Sequence, residues 1–222
     1  MPDNRSSFGS DIYDNNITSV LPYYREYHPQ VTDLVKAAGY TSPKWLDTGC
    51  GTGTLALIAL EELPDARFTL ADPSAQMLSR AREKLAGKDI SYVNVPSHEL
   101  PFTDEFDIVT AIQCHHYYDE AGREAAVRHC FEALHKGGIF VTFENIRMSA
   151  DESDAIAVRR WEQFQLGHGR TAADVEKHIA RRGTEMFPIT IEKHLALLRK
   201  CGFATADILW TSYMQAGFWA IK

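Results

Sequence analysis

The stretch WLDTGCGTGTLAL, residues 45–57, decides the fold of this chain. Its apolar start is typical of a short strand, which runs into Gly49, Gly51 and Gly53 and then directly into a helical pattern. Glycines at alternate positions let a backbone turn sharply and come into contact with a ligand. The beginning of a helix also presents free N–H groups. The stretch therefore predicts a strand, a tight turn and a helix that together bind a polar ligand.

Two further positions indicate the kind of ligand. The fingerprint for dinucleotides places its third glycine where this chain has Thr54, so a nicotinamide cofactor fits less well. Asp72 ends the next apolar run, where a carboxylate can accept hydrogen bonds from both hydroxyls of a ribose. The two features together favour a nucleoside without a pyrophosphate.

Short apolar runs alternate with helical patterns along the rest of the chain, which predicts an α/β protein with a mostly parallel sheet wound on both sides. We expect strands at 44–48, 67–72, 90–95, 106–113, 139–143, 206–211 and 216–221. Helices are expected over 53–63, from Ser74 to Gly87, up to the pair Gly137-Gly138, and from Thr190 to Gly202. The last two strands are separated by a short turn, which predicts an antiparallel hairpin. The result is a doubly wound sheet of about seven strands.

Composition narrows the function further. The 222 residues include 23 basic and 30 acidic side chains, a formal net charge of −7, which disfavours nonspecific binding to nucleic acid. The four cysteines, at positions 50, 114, 130 and 201, form no CxxC pair, as expected of free thiols in a reducing compartment. Neither a secretory signal nor a long apolar segment is evident. We therefore expect a soluble cytoplasmic protein with a small-molecule substrate and no membrane partner, and the sequence leaves a homodimer open.

Four segments of the chain resemble the class I S-adenosylmethionine-dependent methyltransferases. DTGCGTG, residues 47–53, is similar to the family's first motif, and FTLADPSAQML, residues 68–78, to its second. PFTDEFDIVTAIQCHH resembles the segment that ends beside the transferred methyl group, and LHKGGIFVTFEN resembles the turn and fifth strand. The resemblance extends over about the whole chain. It implies a Rossmann-like fold, S-adenosyl-L-methionine as the cofactor, and methyl transfer to an unidentified acceptor.

The resemblance also implies which residues bind the cofactor. These are Tyr13, Asp47, Gly49, Cys50, Gly51, Gly53, Asp72, Pro73, Met77, Ser97, His98 and Gln113. The glycines would border the methionine part and Asp72 the ribose, while Gln113 would lie near the methyl group. The family often has Gly-Asp-Ala where this chain has Val-Pro-Ser at 95–97. The adenine contacts therefore fall to Ser97, His98 or the backbone.

The run HHYY, residues 115–118, follows the fourth strand at the edge where doubly wound proteins bind ligands. One interpretation makes His116 a general base, since histidine titrates near neutral pH. The other is that both histidines cap the strand and shape the pocket. Substrate contacts are expected from His115, Tyr117 and Arg181. Adjacent histidines point apart in a strand and no third ligand is evident, so a metal site is disfavoured.

The resemblance divides the single domain into four segments. Residues 1–43 form an amino-terminal lid, 44–144 the cofactor-binding core, 145–189 a helical insertion, and 190–222 the final helix and hairpin. In similar enzymes the lid covers the cofactor, and the ring of Tyr13 can face the sulfonium by cation–π attraction, worth about 0.5–2 kcal/mol. The tyrosines at 23, 24 and 27 are expected to pack on the sheet.

Two other functions stay open. The segment 189–222 is similar to the end of the carboxy-S-adenosylmethionine synthases, which convert the cofactor with prephenate. That family holds the added carboxylate with an arginine from the inserted region, and Arg181 and Arg182 lie near this position without matching it. A noncatalytic protein that binds the cofactor is the other alternative.

Overall fold

The computed structural model describes residues 3–222, which build one seven-stranded sheet in the order β3-β2-β1-β4-β5-β7-β6. Its strands are β1 (Lys44–Thr48), β2 (Arg67–Ala71), β3 (Ile90–Val93), β4 (Phe106–Ile112), β5 (Leu134–Asn145), β6 (Thr205–Ser212) and β7 (Gln215–Ile221). Strands β1 to β5 pair in parallel, and β7 pairs antiparallel with both β5 and β6. The predicted doubly wound sheet with a terminal antiparallel hairpin is confirmed.

Eight α-helices accompany the sheet within the described residues. They are α1 (Tyr13–Asn16), α2 (Tyr24–Ala37), α3 (Thr54–Glu62), α4 (Ala75–Lys84), α5 (Glu120–Ala133), α6 (Asp151–Gly167), α7 (Ala172–Ile179) and α8 (Ile191–Lys200). Short 3₁₀ helices occur at Ile17–Ser19, Ser97–Glu99 and His115–Tyr117. None of the helices in residues 3–222 has the length and apolar character that crossing a membrane requires.

Side-chain caps fix where several helices begin. The Ser74 side chain accepts a hydrogen bond from the backbone of Met77 at the start of α4, and Asp119 accepts one from Gly122 at the start of α5. Thr190 caps α8 in the same way. Such a cap satisfies one N–H that the helix itself leaves unpaired and contributes about 1 kcal/mol.

The helix α5 ends earlier than the sequence predicts. We expected its end at Gly137-Gly138, but α5 stops at Ala133 and β5 begins at Leu134. The pairing of β5 with β4 shifts between Phe106 and Ile108, so the two glycines lie in an irregular part of the strand. Gly137 has a φ of 82° there and its N–H donates to the Lys222 carbonyl, which explains why a glycine occupies this position.

The two faces of the sheet bury different side chains. Trp45 belongs to a cluster with residues of α2, α3, α4 and α6, whereas the adjacent Leu46 belongs to a cluster with residues of α5 and α8. Alternation of this kind follows from the two-residue period of a strand. Tyr27 stacks on Phe143 within the first cluster, as expected. The ring of Tyr23 packs edge-on against Trp210 of β6, although Tyr23 is 60% exposed.

The amino-terminal segment and the helices that follow β5 meet at one edge of the sheet. Trp161 of α6 is fully buried, and its indole N–H donates to the Val20 carbonyl at 2.6 Å. Arg182 pairs with Asp154 at 3.0 Å and thereby joins the segment after α7 to α6. These contacts place chain from before β1 and after β5 at the carboxyl edge of the parallel strands.

Candidate functional site

A cavity of about 410 Å³ lies at the carboxyl ends of the parallel strands. Its walls include residues that directly follow three strands: Gly49 after β1, Asp72 after β2 and Gln113 after β4. Ser97, in the 3₁₀ helix after β3, also lines it. Asn145, the last residue of β5, also lines it. Doubly wound proteins bind ligands at this edge, and the volume lies near the lower end of the range for small-molecule sites.

Most of the predicted cofactor residues lie in this cavity. The wall contains Tyr13, Gly49, Gly51, Asp72, Pro73, Met77, Ser97, His98 and Gln113. Asp47, Cys50 and Gly53 were also predicted, but they are not among its lining residues. Asp47 lies in β1, and Cys50 and Gly53 lie in the loop that carries the lining glycines.

Glycine occupies the three loop positions 49, 51 and 53 for different physical reasons. All have positive φ, at 65° for Gly49, 55° for Gly51 and 76° for Gly53. A Cβ atom on Gly49 would lie 2.5 Å from the Cβ of Cys114, and one on Gly53 would lie 2.9 Å from Leu85. A Cβ on Gly51 would meet nothing within 4 Å. Packing therefore requires glycine at 49 and 53, whereas the open space is at Gly51.

Asp72 holds the glycine loop and the start of α4 together. One carboxylate oxygen accepts the Gly51 N–H at 2.9 Å, and the other accepts the Ser74 N–H at 2.8 Å. Burial raises the pKa of Asp72 to about 6, even though both backbone hydrogen bonds oppose that shift. Each oxygen keeps one free lone pair, so the carboxylate can still accept the two hydroxyls of a ribose.

Asp47 lies one layer below the loop. It is 2% exposed, and its side chain accepts a hydrogen bond from the Thr110 hydroxyl at 2.7 Å. Burial raises the pKa of Asp47 to about 7, with the hydrogen bond from Thr110 acting in the opposite direction. The residue thus joins β1 to β4 beneath the turn.

The expected adenine end of the cavity contains few free polar groups. The hydroxyl of Ser97 lies 2.9 Å from that of Thr48 and is already hydrogen-bonded. The ring of His98 packs edge-on against Tyr118, with 5.1 Å between ring centroids. Its Nδ1 atom is buried and has no partner among residues 3–222. Of the two side chains that the sequence indicates for adenine, His98 has the free atom.

His116 and Glu144 form a buried pair at the cavity wall, which His116 lines. The Nδ1 of His116 lies 2.9 Å from a carboxylate oxygen of Glu144, and the same oxygen accepts the His116 backbone N–H at 2.9 Å. Burial acts to raise the pKa of Glu144, but the hydrogen bond and charge of His116 outweigh it, and the pKa lies below its ordinary value. A carboxylate in this position holds the ring in one orientation and stabilises its protonated form.

The free side of the His116 ring faces a ligand site. His116 lines the cavity, and its Nε2 has no hydrogen-bond partner among residues 3–222. A bonded Nδ1 and a free Nε2 are the arrangement that a general base requires. The geometry therefore favours the general-base interpretation over simple capping of the strand.

The predicted substrate residues have different locations. Tyr117 lines the cavity, but His115 does not; its ring is buried and stacks with Phe140. Arg181 also lies outside the lining, where its guanidinium donates to the Ser7 hydroxyl at 2.9 Å and to Glu185 at 2.8 Å. Arg181 therefore ties the amino-terminal segment to the insertion, and its guanidinium lies behind the wall, 5.9 Å from the ring centroid of Tyr117.

The sequence did not assign a site role to four residues near His116. Glu144 and Asn145 end β5, for which the sequence predicts only a strand. Their place at the carboxyl edge of the sheet is the one signal that could have indicated a role in the site. Trp161 and His178 come from α6 and α7, and both line the cavity. The helical spacing of Trp161 favours the core over a substrate wall, and no local pattern indicates His178, so only the fold of the insertion shows that both lie at the site.

The comparisons with known proteins agree with this geometry. The family model described as "Methyltransferase domain" matches residues 46–138. Residues 46–138 are a methyltransferase domain. The match begins in β1, includes the glycine loop and Asp72, and ends in β5. It confirms the S-adenosylmethionine-dependent methyltransferase that the sequence indicates.

Curated relatives of the methyltransferase domain extend over nearly the whole chain. One is the carboxy-S-adenosyl-L-methionine synthase of Helicobacter hepaticus, 22% identical over 213 residues that cover 92% of this chain and 89% of the relative. The synthase of Trichodesmium erythraeum is 23% identical over 216 residues, or 95% and 85% of the two chains. The similarity is distant, and the synthase activity is that of the relatives.

Solved structures share the fold at lower identity. An S-adenosylmethionine-dependent methyltransferase from Thermotoga maritima has a TM-score of 0.61 at 15% identity, covering 96% of this chain and 95% of that one. The carbon methyltransferase CurJ has a TM-score of 0.71 at 17% identity over 97% of this chain. This chain spans 59% of the CurJ chain. Both confirm the Rossmann-like fold.

Proposed function

We propose that this chain transfers a methyl group from S-adenosyl-L-methionine to the hydroxyl of a small uncharged acceptor, with His116 as the general base. The pair formed by His116 and Glu144 at the cavity wall carries the proposal. The bound cofactor supplies a methyl group already activated on a sulfonium. The protein then has to align the acceptor, exclude water and remove one proton.

The cofactor fits the loop end of the cavity. The open space at Gly51 lets the cofactor approach the backbone, and Asp72 offers two acceptors for the ribose hydroxyls. Tyr13 lies in the wall, where its ring can face a sulfonium. Gln113 also lines the cavity, and the resemblance puts it near the methyl group.

His116 then acts on the acceptor. Its Nε2 takes the proton of the acceptor hydroxyl as the oxygen bonds to the methyl carbon and the carbon–sulfur bond breaks, which leaves a neutral thioether. Glu144 is ionised and buried beside Nδ1, so it stabilises the imidazolium that forms. The 3% exposure of His116 keeps bulk water from the reacting proton.

The curated relatives favour synthesis of a carboxylated cofactor as a second function. That reaction brings an anionic substrate, which a cation should hold. Neither Arg181 nor Arg182 lines the cavity, since they bind Ser7 and Asp154 instead. Arg5 is the one cation in the described lining, and its guanidinium donates to the Tyr117 carbonyl. The cation distribution supports methyl transfer to an uncharged acceptor.

Calorimetric titration with S-adenosylhomocysteine, followed by methyl transfer to a panel of alcohols, amines and thiols, tests the proposal. We expect binding by the wild type and methylation of a hydroxyl compound. Incubation of S-adenosylmethionine with prephenate is the parallel experiment. A cofactor mass increased by one carboxyl group there would support the second function, and binding without any turnover would contradict both activities.

The ionisation of Asp72 predicts how cofactor affinity depends on pH. The ionised carboxylate accepts the ribose hydroxyls, and its pKa in the empty protein is about 6. We expect a constant affinity for S-adenosylhomocysteine above about pH 7 and a decline of up to about tenfold per pH unit below pH 6. Binding near pH 5.5 should release a proton, measurable by calorimetry in buffers with different ionisation enthalpies. Asp72→Asn should bind weakly without this decline.

Contacts of Asp14 predict how the amino-terminal segment closes over the site. Its carboxylate accepts the Thr52 hydroxyl at 2.7 Å and pairs with Lys84 at 2.7 Å. Both side chains are partly exposed, so the pair contributes only about 0.2–1 kcal/mol. We expect Asp14→Asn to speed dissociation of S-adenosylhomocysteine by about two- to fivefold in stopped-flow measurements. Lys36→Met, which removes an exposed pair with Glu62, should leave the rate unchanged.

Location and assembly belong to the same proposal. All four cysteines are free thiols, which supports a reducing compartment such as the cytoplasm. We propose no nonspecific contact with nucleic acid, because the formal net charge is −7. Light scattering of the purified chain would decide between a monomer and a homodimer.

A further inference from the structure

A second polar group lies beside the general base. Asn145, the last residue of β5, is 2% exposed and lines the cavity. Its backbone nitrogen lies 3.5 Å from the His116 Nδ1, so the two residues are neighbours at the cavity wall.

The orientation of the Asn145 amide is fixed. The guanidinium of Arg182 donates to its Oδ1 at 3.1 Å, and an arginine has no acceptor atom. Arg182 is itself held by both carboxylate oxygens of Asp154, at 3.0 and 3.2 Å. Oδ1 therefore faces Arg182, and the Nδ2 group is the one left for a ligand.

Among residues 3–222, the side-chain hydrogen bonds of Asn145 use only Oδ1. Its Nδ2 group therefore stays available as a donor, and Asn145 lines the cavity. A ligand oxygen in the cavity would accept a hydrogen bond from this group. The free Nδ2 group of Asn145 thus indicates that the natural ligand has a hydrogen-bond acceptor next to it.

The rest of this end of the cavity is apolar or neutral. Trp161 and Met186 are 0% and 2% exposed, and Ile112 completes the wall. His178 lies there too, and burial lowers its pKa to about 3, so its ring is uncharged at neutral pH. A flat, uncharged molecule fits these surfaces better than an anion or a cation.

We infer that Asn145 is a specificity-determining contact, and that the acceptor is an uncharged aromatic compound with a second oxygen next to the methylated hydroxyl. The hydroxyl lies at His116 Nε2, and the neighbouring oxygen accepts from Asn145 Nδ2. The inference rests on the proposed methyl transfer, because it assumes that the acceptor occupies the cavity together with the cofactor.

Calorimetry on the wild type loaded with S-adenosylhomocysteine tests the inference, with phenol, benzene-1,2-diol and benzene-1,3-diol as probes. We expect the 1,2-diol to bind about tenfold tighter than the other two, the effect of one added hydrogen bond to a buried donor. The same order is expected in kcat/KM for methyl transfer. Asn145→Asp keeps the shape and the contact with Arg182 but replaces the donor by an acceptor, so the preference should disappear.

Asn145→Leu removes both polar atoms and should also abolish the preference. If the Asn145→Leu variant does not fold, the affinities of Asn145→Asp for the three probes decide the test. Equal affinity for all three probes in the wild type, or a preference that survives in Asn145→Asp, would overturn the inference. Absence of binding by all three probes to the loaded protein would overturn the substrate class. Failure of S-adenosylhomocysteine itself to bind is a separate result, which contradicts the proposed function first.

Discussion

Alanine at Gly51 should abolish cofactor binding in a folded protein, whereas alanine at Gly49 should largely unfold it. Both glycines have positive φ, 55° and 65°, so both substitutions carry a backbone cost of about 1–2 kcal/mol. Only at Gly49 does the new Cβ also meet a neighbour, at 2.5 Å from the Cys114 Cβ. We expect Gly51→Ala to lower the free energy of unfolding by about 1–2 kcal/mol and Gly49→Ala by about 3–5 kcal/mol.

The loss of binding in Gly51→Ala has a different cause. Its Cβ meets no protein atom within 4 Å and so occupies the space that the ligand needs. We expect the affinity for S-adenosylhomocysteine to fall by at least about 100-fold, as for a clash that the rigid loop cannot relieve. Urea unfolding followed by circular dichroism gives the stabilities, and calorimetry gives the affinity.

A double substitution checks the steric argument. Cys114→Gly removes the atom that a Cβ on Gly49 would meet, so Gly49→Ala should cost less stability in this background. Gly51→Ala should cost the same in both backgrounds. Equal costs of Gly49→Ala with and without Cys114 would show that backbone strain, and not the contact, sets the requirement for glycine.

Replacing His116 by glutamine should lower kcat for the acceptor by about 100- to 10,000-fold, the usual contribution of a general base. The affinity for S-adenosylhomocysteine should change by less than about threefold, because His116 is not one of the residues expected to bind the cofactor. Single-turnover methyl transfer with the acceptor found in the panel measures the rate, and calorimetry measures the affinity.

Substitutions at Glu144 and His115 distinguish a general base at His116 from simple capping of the strand by both histidines. Glu144→Gln leaves the imidazole in place but removes its ionised partner, so kcat should fall by about 10- to 100-fold. His115→Gln changes a ring outside the cavity lining, and kcat should stay within about threefold. An unchanged kcat in His116→Gln would leave capping of β4 as the role of both histidines.

The glycine loop shows how far local sequence predicts this site. The turn, its ligand-binding character and Asp72 are predictable because each depends on residues near one another in the chain: a strand, alternate glycines, a helix beginning and an acid after the next strand. The prediction for Arg181 depended on distance along the chain instead. Its guanidinium binds Ser7, 174 residues away in the chain, a contact that no spacing indicates.

The sequence by itself determined the alternating strands and helices, the terminal hairpin and the cofactor loop, because apolar periodicity and glycine geometry are local properties. Tertiary structure decided the acceptor end. Glu144 became the partner of His116 and Asn145 an oriented donor only because β5 pairs with β4 and Arg182 returns from the insertion. Packing of Trp161 against the Val20 carbonyl then closed the wall. Such contacts join residues far apart in the chain, so only the folded arrangement of the elements specifies them.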